Sequence, residues 1–335
     1  MSTENVSSGF GAAAESRGRR FMGSLLSTGT IFVLLLAFWI WITILNPSFA
    51  EPGPFLAYLK RSAPLVILAA GAYFVLVSGN FDLSVGSLVT VIVVVAARLI
   101  DGDPSNTWPV IVLLLLIGVV VGWVNGFVST ILRVPSFITT LGMLLILNGA
   151  VFLWSGGSPK GALAENFRSI GRQGIDGVPW IEQLPWAVVL LFAIGAGSVL
   201  LMRSDFGRQL IATGDNERAA RMSGVRVDRV RILAFVLSGV LAAVAGILLG
   251  GFGGISAQAG AGLEFDAITA CVLGGVVLGG GRGSVVAAMA GALTLEALFT
   301  WLNLQGISGA LEDTVQGVII IAAVAFAAYR LRGAR

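Results

Sequence analysis

The chain has 335 residues, of which 56% are apolar and only 12% charged. Its 45 glycines come on top of the apolar fraction, and the mean hydropathy is +0.92. A typical soluble domain has about 25% charged residues, so this composition excludes a soluble globular enzyme, and the scarcity of polar residues excludes a disordered chain. A net charge of +3 leaves no nucleic-acid footprint. One cysteine and no histidine exclude an internal disulfide, a Cys/His metal cluster and imidazole acid–base chemistry.

A membrane helix needs roughly 20 mostly apolar residues, and charge-free runs of that order cover 21–50, 62–81, 104–132, 134–159, 183–202 and 232–263. Residues 1–20 read as a cytoplasmic tail, with Arg17, Arg19 and Arg20 leading into a first span at 27–45. That span is a signal-anchor: its apolar region is too long for a cleaved leader, and Asn46–Ala50 offers no small-x-small site. Further spans are expected at 64–79, 84–100, 109–132, 137–154 and 186–202. The stretch that follows, Ser204–Val225, is too polar to span. Spans resume at 231–250, 265–280, 285–301 and 314–329, and 331–335 is a second tail. Those of 17 residues or fewer fit half-spans or re-entrant segments equally well. The expectation is an all-α polytopic membrane protein with about ten helices (8–10), some broken and Gly-rich, forming a single domain over 21–330.

Charge placement agrees with an even count and with both termini in the cytoplasm. With the N-terminus inside, the outer segments hold Lys60, Arg61, Arg98, Lys160, Arg168 and Arg172, and the other 15 of the 21 basic residues fall inside. Gly118, Gly122 and Gly126 recur every four residues and mark a face for close helix approach. The clusters Gly250–Gly254 and Gly274–Gly283 suggest helices broken by turns. Broken backbone at membrane depth is tolerated only inside protein or along a cavity.

Within the polar stretch, Asp215 or Asn216 is placed to cap a short helix starting near Glu217, and Gly224 to end it. From 203 to 231 there are seven arginines and four acids. This pattern fits a solvated connector held near anionic headgroups as well as it fits a docking element for a soluble partner.

Several polar residues fall within apolar surroundings. Asp82, with Ser84 and Ser87 at helix-start spacing, fits a cap for the next span and also a substrate contact or gate. Glu264 and Asp266 precede another short span, and Phe265-Asp266 repeats Phe81-Asp82, as corresponding parts of two halves would. In this topology the first break faces in and the second out. Asn125 is similarly placed, and Glu296 needs a partner or a proton if buried. Trp123, Phe137, Trp301 and Asn303 add aromatic and amide side chains, although a Trp near a span end more often anchors the interface. GGGRG at 279–283 lacks the Lys-Ser/Thr of a P-loop, and no nucleophile–base pair or metal set appears.

Four stretches carry a resemblance: GNFDLSVGS (Gly79–Ser87), VPSFITTLGM (Val134–Met143), the run from Phe206-Gly207-Arg208 through TGDN (Thr213–Asn216) to Ser223-Gly224, and GLEFDAITA (Gly262–Ala270) leading into GGGRG (Gly279–Gly283). In order and spacing, from about 46 to 328, the chain resembles the permease subunits of bacterial ABC importers for monosaccharides of the ribose, xylose, galactose and arabinose type. Departures are Asn80-Phe81 for a usual Gly-Ile, Pro135-Ser136 for a Pro-Pro pair, and Thr269 at a usually Ala-rich position.

The resemblance implies a type II ABC importer-like bundle in the bacterial inner membrane. It implies a second copy of the permease, an ABC ATPase subunit and a periplasmic monosaccharide-binding protein as partners, alongside the lipid membrane and with no nucleic acid. No cofactor is expected, and ATP is used by the partner ATPase, so the chain itself is no enzyme. Phe206, Gly207, Arg208, Thr213, Gly214, Asp215, Asn216, Glu217, Ala219, Ala220 and Gly224 fall to ATPase coupling (segment 204–224). Asp82, Ser84, Asn125, Phe137, Glu264 and Asp266 are the candidates for the translocation path or gating. The competing readings are an ion-coupled secondary transporter, which explains the charged helix poorly, and a membrane-embedded enzyme or assembly subunit. Pentoses and hexoses are equally allowed as substrate, and inositols stay open.

Overall fold

The computed structural model describes residues 29–306 together with 311, 314–319 and 321–322. The tails at 1–20 and 331–335, the first residues of the 27–45 span and much of the 314–329 span therefore lie outside the described residues. The helices are α1 (Gly29–Leu45), α2 (Pro52–Val77), α3 (Val85–Ile100), α4 (Thr107–Thr130), α5 (Ser136–Ser155) and α6 (Glu165–Arg172). They continue as α7 (Trp186–Arg203), α8 (Asp205–Asp215), α9 (Glu217–Met222), α10 (Val227–Gly253), α11 (Leu263–Leu273) and α12 (Val285–Leu304). A small antiparallel hairpin pairs β1 (Gly174–Asp176) with β2 (Gln183–Pro185).

Six helices are long and apolar enough to cross a membrane: α2, α4 with the short turn before it, α5, α7, α10 and α12. α1 and α3 are apolar but shorter, and α3 is almost wholly buried in the bundle. At 265–280 the structure holds a short helix and not a full span, the half-span alternative for this stretch. α11 stops at Leu273 after 11 residues, a rise of about 16 Å against a hydrocarbon core of about 30 Å. What ends it is backbone conformation: Gly275, Gly280, Gly281 and Gly283 all have positive φ, which glycine adopts without steric cost. The other large difference is at α2, which begins at Pro52 rather than near 64. Pro52 and Pro54 open the helix in its first turn, and it carries Lys60 and Arg61 because both charges are satisfied. Lys60 Nζ donates to the Arg172 carbonyl at 2.9 Å, and Arg61 Nη2 donates to Thr300 Oγ1 at 2.6 Å.

α2, α3 and α10 form the centre, and Ser62 to Val77 of α2 is a continuous buried run. α4 lies against α10 at backbone contact. A Cβ at Gly118 would come within 2.5 Å of the Gly239 carbonyl, and one at Gly122 within 2.3 Å of the Phe235 carbonyl. The Gly118/Gly122/Gly126 face is thus a packing face, as expected. α5 sits at the periphery, with Leu145, Ile146, Phe152 and Leu153 exposed.

The loops sort to two ends. At one end lie 78–84, the α8–α9 pair and the 275–284 turns, where Gly281 N–H donates to the Val77 carbonyl at 2.9 Å. At the other end, Gly161 abuts the Ala97 carbonyl at the end of α3, and Gly171 of α6 abuts Leu248 and Phe252 at the end of α10. From that second end the irregular 254–262 segment turns back into the bundle, so that Gly260 packs on Gly86 and Val89 of α3. The two breaks therefore open from opposite ends.

Candidate functional site

The α8–α9 pair forms the exposed charged element. Ser204 precedes α8, with Asp205 in its first turn, where the helix dipole favours an acid. Arg208 pairs with Asp205 and also donates to the Arg203 carbonyl. Gly207 is buried where a Cβ would meet the Met202 carbonyl at 2.1 Å. Phe206 reaches inward to Phe74 of α2, ring centroids 6.4 Å apart. Asn216, rather than Asp215, caps α9: its Oδ1 accepts from Ala219 N–H at 3.0 Å. Gly224, at φ +83°, ends the helix, with Val225 N–H donating to the Ala220 carbonyl. Glu217 accepts from Arg221 at 3.0 Å and from Arg231 of α10 at 2.8 Å. Partial burial works to raise its pKa, but the Arg231 charge and the hydrogen bonds from Arg221 and Arg231 prevail and hold it below the usual carboxylate range. Ala220 and Thr213 face inward, while Asp215, Ala219, Ile211 and Met222 face out, Met222 being 82% exposed.

The inner end of this element is wedged into the bundle at Gly214. A Cβ there would lie 1.9 Å from the Val77 carbonyl and 2.5 Å from Gly281 N, and one at Gly280 would lie 2.9 Å from Gly79 and 3.0 Å from Gly214. Three backbones meet with no side chain between them: the end of α2, the end of α8 and the turn before α12.

Asp82 follows directly in the break between α2 and α3. Its Oδ1 accepts from Ser84 N–H at 3.1 Å and from Ser84 Oγ at 2.7 Å, and its Oδ2 accepts from Ser238 Oγ of α10 at 3.0 Å. This corrects the expected cap. Ser84 is the N-cap residue and makes no side-chain cap bond, while Asp82 closes an Asx turn two residues ahead of the helix. Ser84 Oγ also accepts from Asn125 Nδ2 of α4 at 2.8 Å, and Asn125 is fully buried. Phe81 N–H donates to Ser136 Oγ of α5 at 3.1 Å. Asp82→Ala is therefore expected to destabilise by roughly 1–3 kcal/mol and to lower folded yield after detergent extraction. Asp82→Asn keeps an acceptor for Ser84 N–H and should recover most of the yield. Equal losses in the two variants would assign the effect to charge instead.

The six path candidates thus divide. Asp82, Ser84 and Asn125 form one buried cluster. Glu264, in the first turn of α11, lines a separate cavity of about 400 Å³ between α3, α5 and 254–262. Phe137 is exposed on α5, and Asp266 is half-buried two residues beyond Glu264, outside both groups. Trp123 stacks on Phe127 at the periphery, and Asn303 Nδ2 donates to the Phe299 carbonyl. Glu296, half-buried in α12, is partnered. Ser238, Thr90, Asn148 and Gln258 were not foreseen. Ser238 next to Gly239 in a charge-free run was the one available signal.

The four sequence stretches converge on residues 77–87. The first contacts the second at Phe81–Ser136 and the fourth at Gly86–Glu264 and Gly79–Gly280, while the third meets Val77, two residues ahead of the first, at Gly214.

Comparison with known proteins bears on the whole chain. Residues 55–324 match the family described as branched-chain amino acid transport system / permease component. The ribose import permease protein RbsC of Escherichia coli (strain K12) is 34% identical over 311 residues, 92% of this chain and 96% of that protein. The autoinducer 2 import system permease protein LsrC of Yersinia enterocolitica is 33% identical over 299 residues, 89% and 81% of the two chains. The LsrC of Escherichia coli O9:H4 is 38% identical over 263 residues, 78% and 75%. No solved structure gives a significant match.

Proposed function

This chain belongs to the branched-chain amino acid transport system / permease component family, and we propose that it is the membrane-spanning subunit of an ATP-driven, binding-protein-dependent importer of a monosaccharide. Relatives named for ribose and for autoinducer 2 support a hydroxylated solute over an amino acid. So does the cavity beside Glu264, where no Lys or Arg among the described residues lines the wall to hold an amino acid's carboxylate.

The observation that carries the reading is the junction at Gly214. An exposed, charged helix pair has its inner end in backbone contact with the end of α2 and the turn before α12. A solvated connector needs no such contact. A docking element does, because motion imposed from outside must reach the bundle. In this reading the unit works as two permease copies in the inner membrane with their termini in the cytoplasm. An ABC ATPase engages residues 204–224, and a periplasmic binding protein delivers the sugar. ATP is bound and hydrolysed on the ATPase, and the permease supplies the path.

Co-purification with the encoded ATPase and ATP-dependent uptake in proteoliposomes test this. Uptake that persists with no ATPase and no ATP would instead indicate an ion-coupled carrier. Glu217→Arg sharpens the test. It removes the acceptor for Arg221 and Arg231 and sets a third cation beside them, so α9 loses its tie to α10. Uptake should fall at least roughly tenfold, the equivalent of about 1.4 kcal/mol, while folded yield stays near wild type. Normal uptake would sink the docking assignment.

A further inference from the structure

The cavity at Glu264 is built in a way the docking and packing arguments leave unused. Glu264 is 8% exposed and its Oε2 has no hydrogen-bond partner. That oxygen lies over Gly86, where a Cβ would come within 1.9 Å of it, so the glycine makes room for the carboxylate. A buried acceptor without a donor is costly unless something supplies one. Glu264 sits in the first turn of α11, whose dipole favours an anion there.

The α3 wall is fixed. Thr90 Oγ1 accepts from Gly260 N–H at 3.0 Å and donates to the Gly86 carbonyl at 3.3 Å, pinning the irregular 254–262 segment to α3. Such backbone is tolerated at membrane depth where it lines a cavity. Asn148 of α5 and Gln258, both exposed, bring amide donors and acceptors to the mouth, and Phe152 supplies an apolar side. The volume of about 400 Å³ lies within the range of small-molecule sites, roughly 300–1,000 Å³. No cation lines it, and no metal-binding group of His, Cys, Asp or Glu occurs among the described residues.

We propose that this cavity is a transit subsite for an uncharged polyol, in which a ligand hydroxyl donates to Glu264 while the amides of Asn148 and Gln258 read its neighbours and Phe152 faces its C–H side. The proposal rests on the importer reading and adds the residues that contact the solute.

The test uses intact cells carrying the complete importer with Ala261→Cys, an exposed position lining the same cavity. The native Cys271 is buried and serves as the unlabelled background. A membrane-impermeant thiol reagent is applied with D-ribose, D-galactose or myo-inositol, and with choline as a cation control. At least one polyol should slow labelling threefold or more, and choline should not. Adding Glu264→Leu should abolish the protection and lower ATP-dependent uptake of that polyol roughly tenfold, as expected for losing a hydrogen bond to a charged group. Glu264→Gln, which keeps one acceptor and the side-chain size, should fall between the two and guards against a folding defect in the leucine variant. Failure to label Ala261→Cys, absence of polyol protection, protection unaffected by Glu264→Leu, or protection by choline alone each overturns the subsite. Wild-type uptake of these polyols separates the two failures. If uptake is present, only the subsite falls. If ATP-dependent uptake of these three and of xylose and arabinose is absent, the importer reading falls with it.

Discussion

Gly214→Ala is expected to lower ATP-driven uptake at least roughly tenfold while leaving most of the protein folded. The added methyl would sit 1.9 Å from the Val77 carbonyl and 2.5 Å from Gly281 N, inside the hydrogen bond that joins those two groups at 2.9 Å. Both neighbours are backbone, so no flexible side chain can move aside. The end of α8 must retreat or the bond must open. Overpacking of this kind costs about 1–3 kcal/mol, and the lost hydrogen bond about 1 kcal/mol more. The strain falls on one junction at the edge of the bundle, so coupling should suffer before folding does. Uptake and ATPase rates in the same proteoliposomes check this: hydrolysis should persist while uptake is lost. Gly224→Ala is the natural comparison in the same segment. Gly224 has positive φ but open space around it, so the substitution carries only the left-handed backbone penalty of about 1–2 kcal/mol and should have the smaller effect. Equal effects at the two glycines would remove the junction from the coupling path.

What could be read from the sequence was local. Asn216 at the start of α9 and Gly224 at its end are signalled within a few residues, because capping and left-handed turns are short-range chemistry. The Gly118/Gly122/Gly126 face was legible for the same reason. Hydropathy alone does not choose between a span and a half-span at 265–280, because it registers Val272, Leu273, Val276 and Val277 as continuous apolar sequence. The glycines between them stop the helix through φ, which hydropathy does not see. The first turns of α2 were missed because Lys60 and Arg61 interrupt the apolar run. Their partners, the Arg172 carbonyl and Thr300, are more than 100 residues away. The short amphipathic α6 and the β1–β2 hairpin gave too few periodic positions to register. In the site, an acid at each break was visible, but the meeting of Asp82 with Ser238 and of Glu264 with Gly86 is tertiary, and one sequence carries no trace of it.

Gly122→Leu is the substitution expected to unfold the bundle. α4 and α10 touch backbone to backbone over two turns: a Cβ at Gly122 would lie 2.3 Å from the Phe235 carbonyl and 2.8 Å from Val236 Cα, and one at Gly239 would lie 2.2 Å from the Gly118 carbonyl. In a bilayer, where lipid tails solvate apolar side chains as well as neighbouring helices do, close approach of this kind is a main source of helix association. A leucine forces the two axes apart, and the separation reaches the polar cluster. Asn125 of α4 holds Ser84 at 2.8 Å and Ser238 of α10 holds Asp82 at 3.0 Å, so both bonds lengthen together and leave buried polar groups unpaired. Overpacking contributes about 1–3 kcal/mol and each broken bond about 1 kcal/mol, enough to consume much of a typical stability of about 5–15 kcal/mol. The expected result is a large fall in folded yield and in thermal midpoint in detergent, with uptake lost as a consequence. Gly142→Ala on α5 separates this from helix propensity. A Cβ at Gly142 meets nothing within 4 Å, so alanine there should be neutral or slightly stabilising. A comparable loss at Gly142 would mean that these helices need glycine for its flexibility; a loss confined to Gly122 means that they need it for contact, and that the contact holds the polar cluster closed.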